Sequence, residues 1–213
     1  MSRRSVEVEA ERIPRWFANF ADRNDGLTEA QVTADGVRAV AGNGTVAACV
    51  APFLASWAPS GDPVAALASH AISDRRVGVL LVRLGGYAAG VFDGARLIES
   101  KVGSRQVHGR TSAGGWSQQR FARRRENQVD VALDTAAEVA ARILGPHAAG
   151  LTALVLGGER SALEKVLADP RLRPVAAVAR EPRFLTVPDP KHAVLLSAPA
   201  LFRAVTIHLT DPA

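Results

Sequence analysis

Apolar residues recur along this chain with a period of two in some stretches and near 3.6 in others, and the changes of period mark its elements. Ser5 to Ala10 (SVEVEA) alternates and predicts a short strand. Ile13, Trp16, Phe17 and Phe20 then fall at helical spacing, with Pro14 tolerated in a first turn. GVRAVAGNGTVAACVAPF, residues 36–53, predicts a hairpin turning at Gly42-Asn43-Gly44. SWAPSGDP, residues 56–63, is rich in turn formers and is the expected linker. Three strand-like runs follow: RVGVLLVRL (76–84), GYAAGVFD (86–93) and ARLIESKV (95–102). Gly85-Gly86 and Asp93-Gly94 part them as turns, so they predict an antiparallel meander. From about Gln119 to Leu144 the stripe Val129, Leu133, Ala136, Ala140 and Ile143 predicts a long helix, stopped by Gly145-Pro146. LTALVLGG (151–158) predicts a buried strand, and Ser161 with Glu164 fits a capping box for a helix reaching Ala168. PVAAVA (174–179) predicts a further strand, Asp189-Pro190 the start of a helix, and FRAVTIHL (202–209) a last strand.

This order predicts an α/β (α+β) fold: a mixed sheet built on a three-stranded antiparallel meander, with a basic Gly-rich loop and a long helix, plus a small N-terminal α+β module. The expected division is a module over 1–70 and a larger domain over 75–213. Composition does not disturb this picture, with 47% hydrophobic and 22% charged residues, enough to build a core. Cys49 is the one cysteine, which excludes an intrachain disulfide and a cysteine metal cluster. MSRRSVEVEAERIPRW has no apolar run behind its arginines, and no stretch approaches the roughly 20 apolar residues of a membrane span. A cytoplasmic protein without a membrane partner is expected.

Charge changes the picture more. The net charge is +5, yet residues 101–125 hold Lys101, Arg105, Arg110, Arg120, Arg123, Arg124 and Arg125 without an Asp or Glu. The rest of the chain is therefore slightly acidic. At the centre of this segment stands GRTSAGGWSQQRFARRRENQ, residues 109–128. Gly114 and Gly115 suit a tight turn or a close backbone approach to a partner, not a helix interior. Arg120, Arg123 and Arg124 share one face at i, i+3 and i+4, where like charges repel. Phosphates relieve that repulsion and match guanidinium geometry. Most charge runs are solvated faces; a Gly-Gly turn fused to this one, with no acid nearby, points to RNA binding instead. Trp116 beside the glycines suits stacking on a base.

HGRTSAGGWSQQRFARRRE resembles the central domain of archaeal and eukaryotic class I peptide-chain release factors, with their His-Gly-Arg, Gly-Gly-Gln tip and Arg-Phe-x-Arg-x-Arg opening a long helix. It is also similar to the Vms-type release-factor-like domain of ribosome quality control. The chain is identified as a member of the actinobacterial Vms-like release-factor family of peptidyl-tRNA hydrolases, the resemblance covering about residues 75–210. One departure stands out: Trp116, not glutamine, follows Gly114-Gly115. Vms-type domains place Ser-Gln after the glycines, which matches Ser117-Gln118 with one residue inserted and leaves Gln118 or Gln119 as the catalytic glutamine. The resemblance implies water attack on the peptidyl-tRNA ester at the peptidyl-transferase centre of the large ribosomal subunit. The first module shows no stop-codon-reading motif, so action without a stop codon is expected, by a monomer with no cofactor or metal. A backbone N–H at the glutamine would meet the developing oxyanion while its side chain orients water. Gly114, Gly115, Ser117, Gln118 and Gln119 are the implied catalytic residues. Arg110, Trp116, Arg120, Arg123, Arg124 and Arg125 would meet RNA, with Lys101 and Arg105 beside them.

Two other readings remain open at this stage: a non-catalytic ribosomal-RNA or tRNA-binding stall factor, and a tRNA-cleaving nuclease on the same scaffold. Asp93 and Glu99 on adjacent strands would be the nuclease carboxylates, although a two-metal site wants more acids. Ser117 with His108 lacks a third member for a triad. His70, His147 and His192 show no metal spacing, and Gly157-Gly158 lacks the lysine of a phosphate loop.

Overall fold

The computed structural model of the chain describes the backbone of residues 3–104 and 117–212, and side chains over 4–104 and 128–212. In chain order its elements are β1 (Arg3–Val8), α1 (Ile13–Arg23), β2 (Leu27–Thr33), β3 (Gly36–Ala41), β4 (Val46–Val50), α2 (Pro63–Ile72), β5 (Arg76–Arg83), β6 (Gly86–Asp93) and β7 (Arg96–Ser104). There follow α3 (Ser117–Leu144), β8 (Ala153–Gly158), α4 (Arg160–Leu167), α5 (Arg173–Ala176), α6 (His192–Leu196) and β9 (Val205–Thr210). They form two compact units, residues 1–74 with 199–213, and residues 75–198.

The first unit is a five-stranded antiparallel sheet in the order β1-β9-β4-β3-β2. Val37, Ala39, Cys49, Ile207 and Leu209 alternate onto one face and join Ile13, Phe17 and Phe20 of α1 and Leu67 of α2 in its core. The β3–β4 turn works as glycine demands: Gly44 sits at φ +86°, and a Cβ on Gly42 would lie 2.1 Å from the Asp25 carbonyl oxygen. Asn43 closes the turn, its Oδ1 accepting from the Thr45 N–H at 2.9 Å.

The second unit is the mixed sheet, in the order β7-β6-β5-β8, antiparallel except for β5 and β8. β5 is central and buried from Val77 to Val82. Leu80, Val82, Ala89 and Val91 face α3, which contributes Leu133, Ala136, Ala140 and Ile143, the predicted stripe. On the opposite face Leu195 of α6 packs over Gly90, where a Cβ would approach its methyls to 3.1 Å.

Five local expectations are corrected. FRAVTIHL does not extend the second sheet: β9 pairs with β1 and β4, inside the first unit. Alternation at Val205, Ile207 and Leu209 selects a face but not a sheet, so sequence order misassigned it to the 75–213 domain. SWAPSGDP is no linker between the units, because α2 follows it within the first. Trp57 is held there, its Nε1–H donating to the Thr33 carbonyl at 3.1 Å and its ring edge-on to His70. PVAAVA is not a strand. Pro174 stands in the first turn of α5 and Leu172 and Val175 turn inward three residues apart, so helical spacing wins over alternation. Among the described residues two isolated bridges, Leu154 with Arg180 and Gly157 with Leu185, extend the sheet beyond β8. Helix α4 starts at Arg160 after Glu159, leaving Ser161 inside it, its hydroxyl donating to Glu159 Oε1 at 3.0 Å. Helix α6 begins at His192 after Lys191 rather than at Asp189-Pro190, and Asp189 pairs instead with Arg83, Nε to Oδ1 3.3 Å.

Candidate functional site

The basic segment runs between β7, an edge strand of the second sheet, and α3, which packs on that sheet. β7 arrives with Gly103 opposite Tyr87 and Ser104 opposite Gly86. A Cβ on Gly103 would lie 2.3 Å from Tyr87 Cζ and Oη, so the phenol ring lies flat across that glycine. A Cβ on Gly86 would lie 2.9 Å from the Gly103 carbonyl oxygen.

The other end is α3. Tyr87 and Val129 both pack on the core that α3 shares with the sheet. A narrow cleft lined by Val82, Arg83, Tyr87, Val129, Leu133 and Ala136 runs beneath. Arg83 closes the same sheet end, its Nη1–H donating to the Val187 carbonyl at 3.0 Å. From Ser117 to Val129 the helix rises about 18 Å. Phe121 and Ala122 are the only apolar residues in that span before Val129.

The predicted site residues fall into three groups. Lys101 is exposed on β7, opposite Ala89. Arg105, Arg110, Gly114, Gly115, Trp116 and His108 lie outside the described residues. Ser117, Gln118, Gln119, Arg120, Arg123, Arg124 and Arg125 lie on the backbone of α3, their side chains outside the described residues. The helix starts two residues before the expected Gln119, which moves both glutamines from a loop tip into a first helical turn.

Electrostatics sharpens the contrast along α3. Two of its acids near the folded core pair with arginine or lysine: Asp130 Oδ1 with Lys165 Nζ at 3.9 Å, and Asp134 with Arg171. Arg171 also grips Asp169 and, by side-chain and backbone hydrogen bonds, holds that carboxyl down at about 2. The first turn of α3 holds no acid. Arginines near a helix N-terminus add to the positive end of the dipole instead of opposing it. Such an end attracts anions, since its first N–H groups lack helical acceptors.

The nuclease carboxylates do not converge. Asp93 pairs with Arg76 and Arg96, while Glu99 Oε2 meets His147 Nε2 at 3.0 Å. Among the described residues no group of three His, Cys, Asp or Glu could hold a metal ion. Gly158 serves as a strand-to-helix turn, at φ +103° and with a Cβ position 2.2 Å from the Val82 carbonyl oxygen. Sequence reasoning missed Tyr87, Arg83 and the Glu99–His147 pair. A tyrosine opposite a glycine on adjacent predicted strands was the available signal for the first; the others join residues far apart in sequence and had none.

Comparison with known proteins adds the following. A family model described as Actinobacteria/chloroflexi VLRF1 release factor matches residues 75–208. No curated protein matches the chain. The crystal structure of an archaeal translation termination factor, aRF1, aligns with a TM-score of 0.40 at 18% identity over 60% of this chain and 36% of its own. Another solved structure, described as an archaeal protein, aligns with a TM-score of 0.37 at 16% identity over 75% of this chain and 48% of its own. The chain therefore spans less than half the length of either structure. Among the described residues no helix is long and apolar enough to cross a membrane.

Proposed function

The chain belongs to the Actinobacteria/chloroflexi VLRF1 release factor family, and from that premise we propose that it is a ribosome-associated peptidyl-tRNA hydrolase. It frees nascent chains from stalled complexes in the cytoplasm, without reading a stop codon. The observation that carries this reading is the acid-free segment 101–125, which runs from the end of β7 into α3 of the family-matched region and holds Gly114-Gly115 and four closely spaced arginines.

The chemistry follows from residue types. The substrate is the ester between a nascent peptide and the terminal ribose of tRNA. Arg120, Arg123, Arg124 and Arg125 bind RNA phosphates, which relieves the repulsion among them. Trp116 stacks on a base. Gly114 and Gly115 permit close backbone approach to the ester. Gln118, or Gln119, supplies a backbone N–H to the oxyanion and a side-chain amide that orients the attacking water. A neutral tip fits a cavity in which an unpaired charge would be costly to desolvate.

The test is incubation of the protein with ribosome-bound peptidyl-tRNA, followed by a gel that resolves tRNA and peptide. Intact tRNA with free peptide is expected. Absence of turnover with retained binding would replace the reading by a stall-binding factor, and tRNA shortened at its end by a nuclease.

A further inference from the structure

We propose that the first unit captures an extended acidic segment of a partner protein, which adds to its sheet as a further strand alongside β1. β1 is an edge of the five-stranded sheet, bonded to β9 on one side only. Every second residue of an edge strand turns its N–H and C=O outward, ready to pair with another chain.

The edge is not bare. Helix α1 follows β1 after a short 3-10 turn at Ala10–Arg12, leaving two open clefts between them that meet at Trp16 and Asn19. The strand wall carries Val6 and Val8, and the helix wall Arg15, Trp16, Asn19 and Arg23. Trp16 is half-buried and lies parallel to Phe20, ring centroids 5.2 Å apart and planes within 9°. It forms a rigid apolar floor between the clefts. An edge strand with an apolar floor next to it is the arrangement by which strand addition gains both affinity and side-chain selectivity.

Charge identifies the occupant. Arg12 is paired with Glu9, Nη1 to Oε2 4.0 Å. Arg4, Arg15 and Arg23 line the clefts, are exposed, and form no ion pair among the described residues. Arg15, Asn19 and Arg23 follow one another at every fourth residue, one stripe of α1. Arg15 and Arg23 are about 12 Å apart along the axis. Residues i and i+4 of a strand lie about 13 Å apart on one face, with i+2 between them. An added strand with acid, apolar and acid at those positions therefore sets its carboxylates against Arg15 and Arg23 and its apolar side chain between them, at Asn19 beside the Trp16 ring. The pattern reads the same in either strand direction. An RNA strand fits less well, because nucleic acid has no use for unpaired backbone groups.

The experiment uses the full chain and a fluorescein-labelled peptide with the core Glu-Thr-Val-Thr-Glu, read by anisotropy. The Lys-Thr-Val-Thr-Lys counterpart and labelled oligouridylate are run beside it. The acidic peptide should bind at least about tenfold more tightly than either. The double variant Arg15→Glu/Arg23→Glu should reverse the preference toward the lysine peptide. Backbone N-methylation of one alternate set of peptide residues should abolish binding, and of the other set leave it intact, because a strand pairs through one edge only. This last measurement uses the unaltered protein and stands even if the double variant fails to fold. Failure of the acidic peptide to bind, equal binding of both peptides, indifference to N-methylation, or preference for oligouridylate would each overturn the proposal.

Discussion

Replacing Gly103 by alanine should destabilise the second unit, and should do so only while Tyr87 is present. The new Cβ would stand 2.3 Å from Tyr87 Cζ and Oη, so the ring has to lift away from β7. Overpacking of this kind costs about 1–3 kcal/mol. Tyr87 is half-buried, and covering roughly 100 Å² of its ring is worth at most about 2.5 kcal/mol, which caps the loss if the ring leaves altogether. Against this stands a gain of about 0.4–1 kcal/mol, because alanine restricts the unfolded chain more than glycine does. The φ of Gly103 lies outside the positive range, so that gain is available. The net expectation is a loss of about 1–2 kcal/mol in the native background and a gain of up to about 1 kcal/mol in Tyr87→Ala, where the obstacle is gone. Native-state hydrogen exchange of peptides from β5 to β7, followed by mass spectrometry, reads this unit separately from the first. An equal cost in both backgrounds would refute the reasoning, since the coupling between ring and glycine would then be zero.

Gln118→Ala should abolish peptide release and leave ribosome binding nearly unchanged; full activity there with loss in Gln119→Ala would move the catalytic position by one residue. Arg120→Ala/Arg123→Ala/Arg124→Ala should weaken association with ribosomes and flatten its logarithmic salt dependence by roughly two units, about 0.7–0.9 for each phosphate no longer neutralised, with thermal unfolding unaltered. Gly158→Ala should cost more than about 2 kcal/mol, since φ +103° and the Val82 carbonyl at 2.2 Å both oppose a Cβ, whereas Gly150→Ala, with open space around it, should fall within about 0.5 kcal/mol of the parent in urea unfolding. Cys49 is buried and desolvation pushes its thiol up to about 12, so at pH 8 it should react with a thiol reagent only as the first unit opens; rapid labelling in the native state would contradict its burial.

Hydrophobic period alone determined most elements of this chain. Strands β5, β6 and β7, the apolar stripe of α3 and the β3–β4 turn at Gly42-Asn43-Gly44 all follow from local spacing and from glycine's conformational range. The acid-free basic segment is likewise a property of sequence, because charge clustering needs no coordinates. Tertiary structure decided what local spacing leaves open. LTEAQVT is too polar to announce a strand, yet it becomes β2 because β3 offers it a free edge. PVAALASHAI is apolar nearly throughout, so no period marks it as α2, although Asp62 caps it by accepting from the Ala65 N–H at 2.8 Å. β9 lies in the first sheet, remote in sequence from both β1 and β4, and Tyr87 meets Gly103 across a strand pair. Periodicity reports which face of an element is buried. It carries no record of the element that buries it, because that choice is settled by the joint packing of segments distant in the chain.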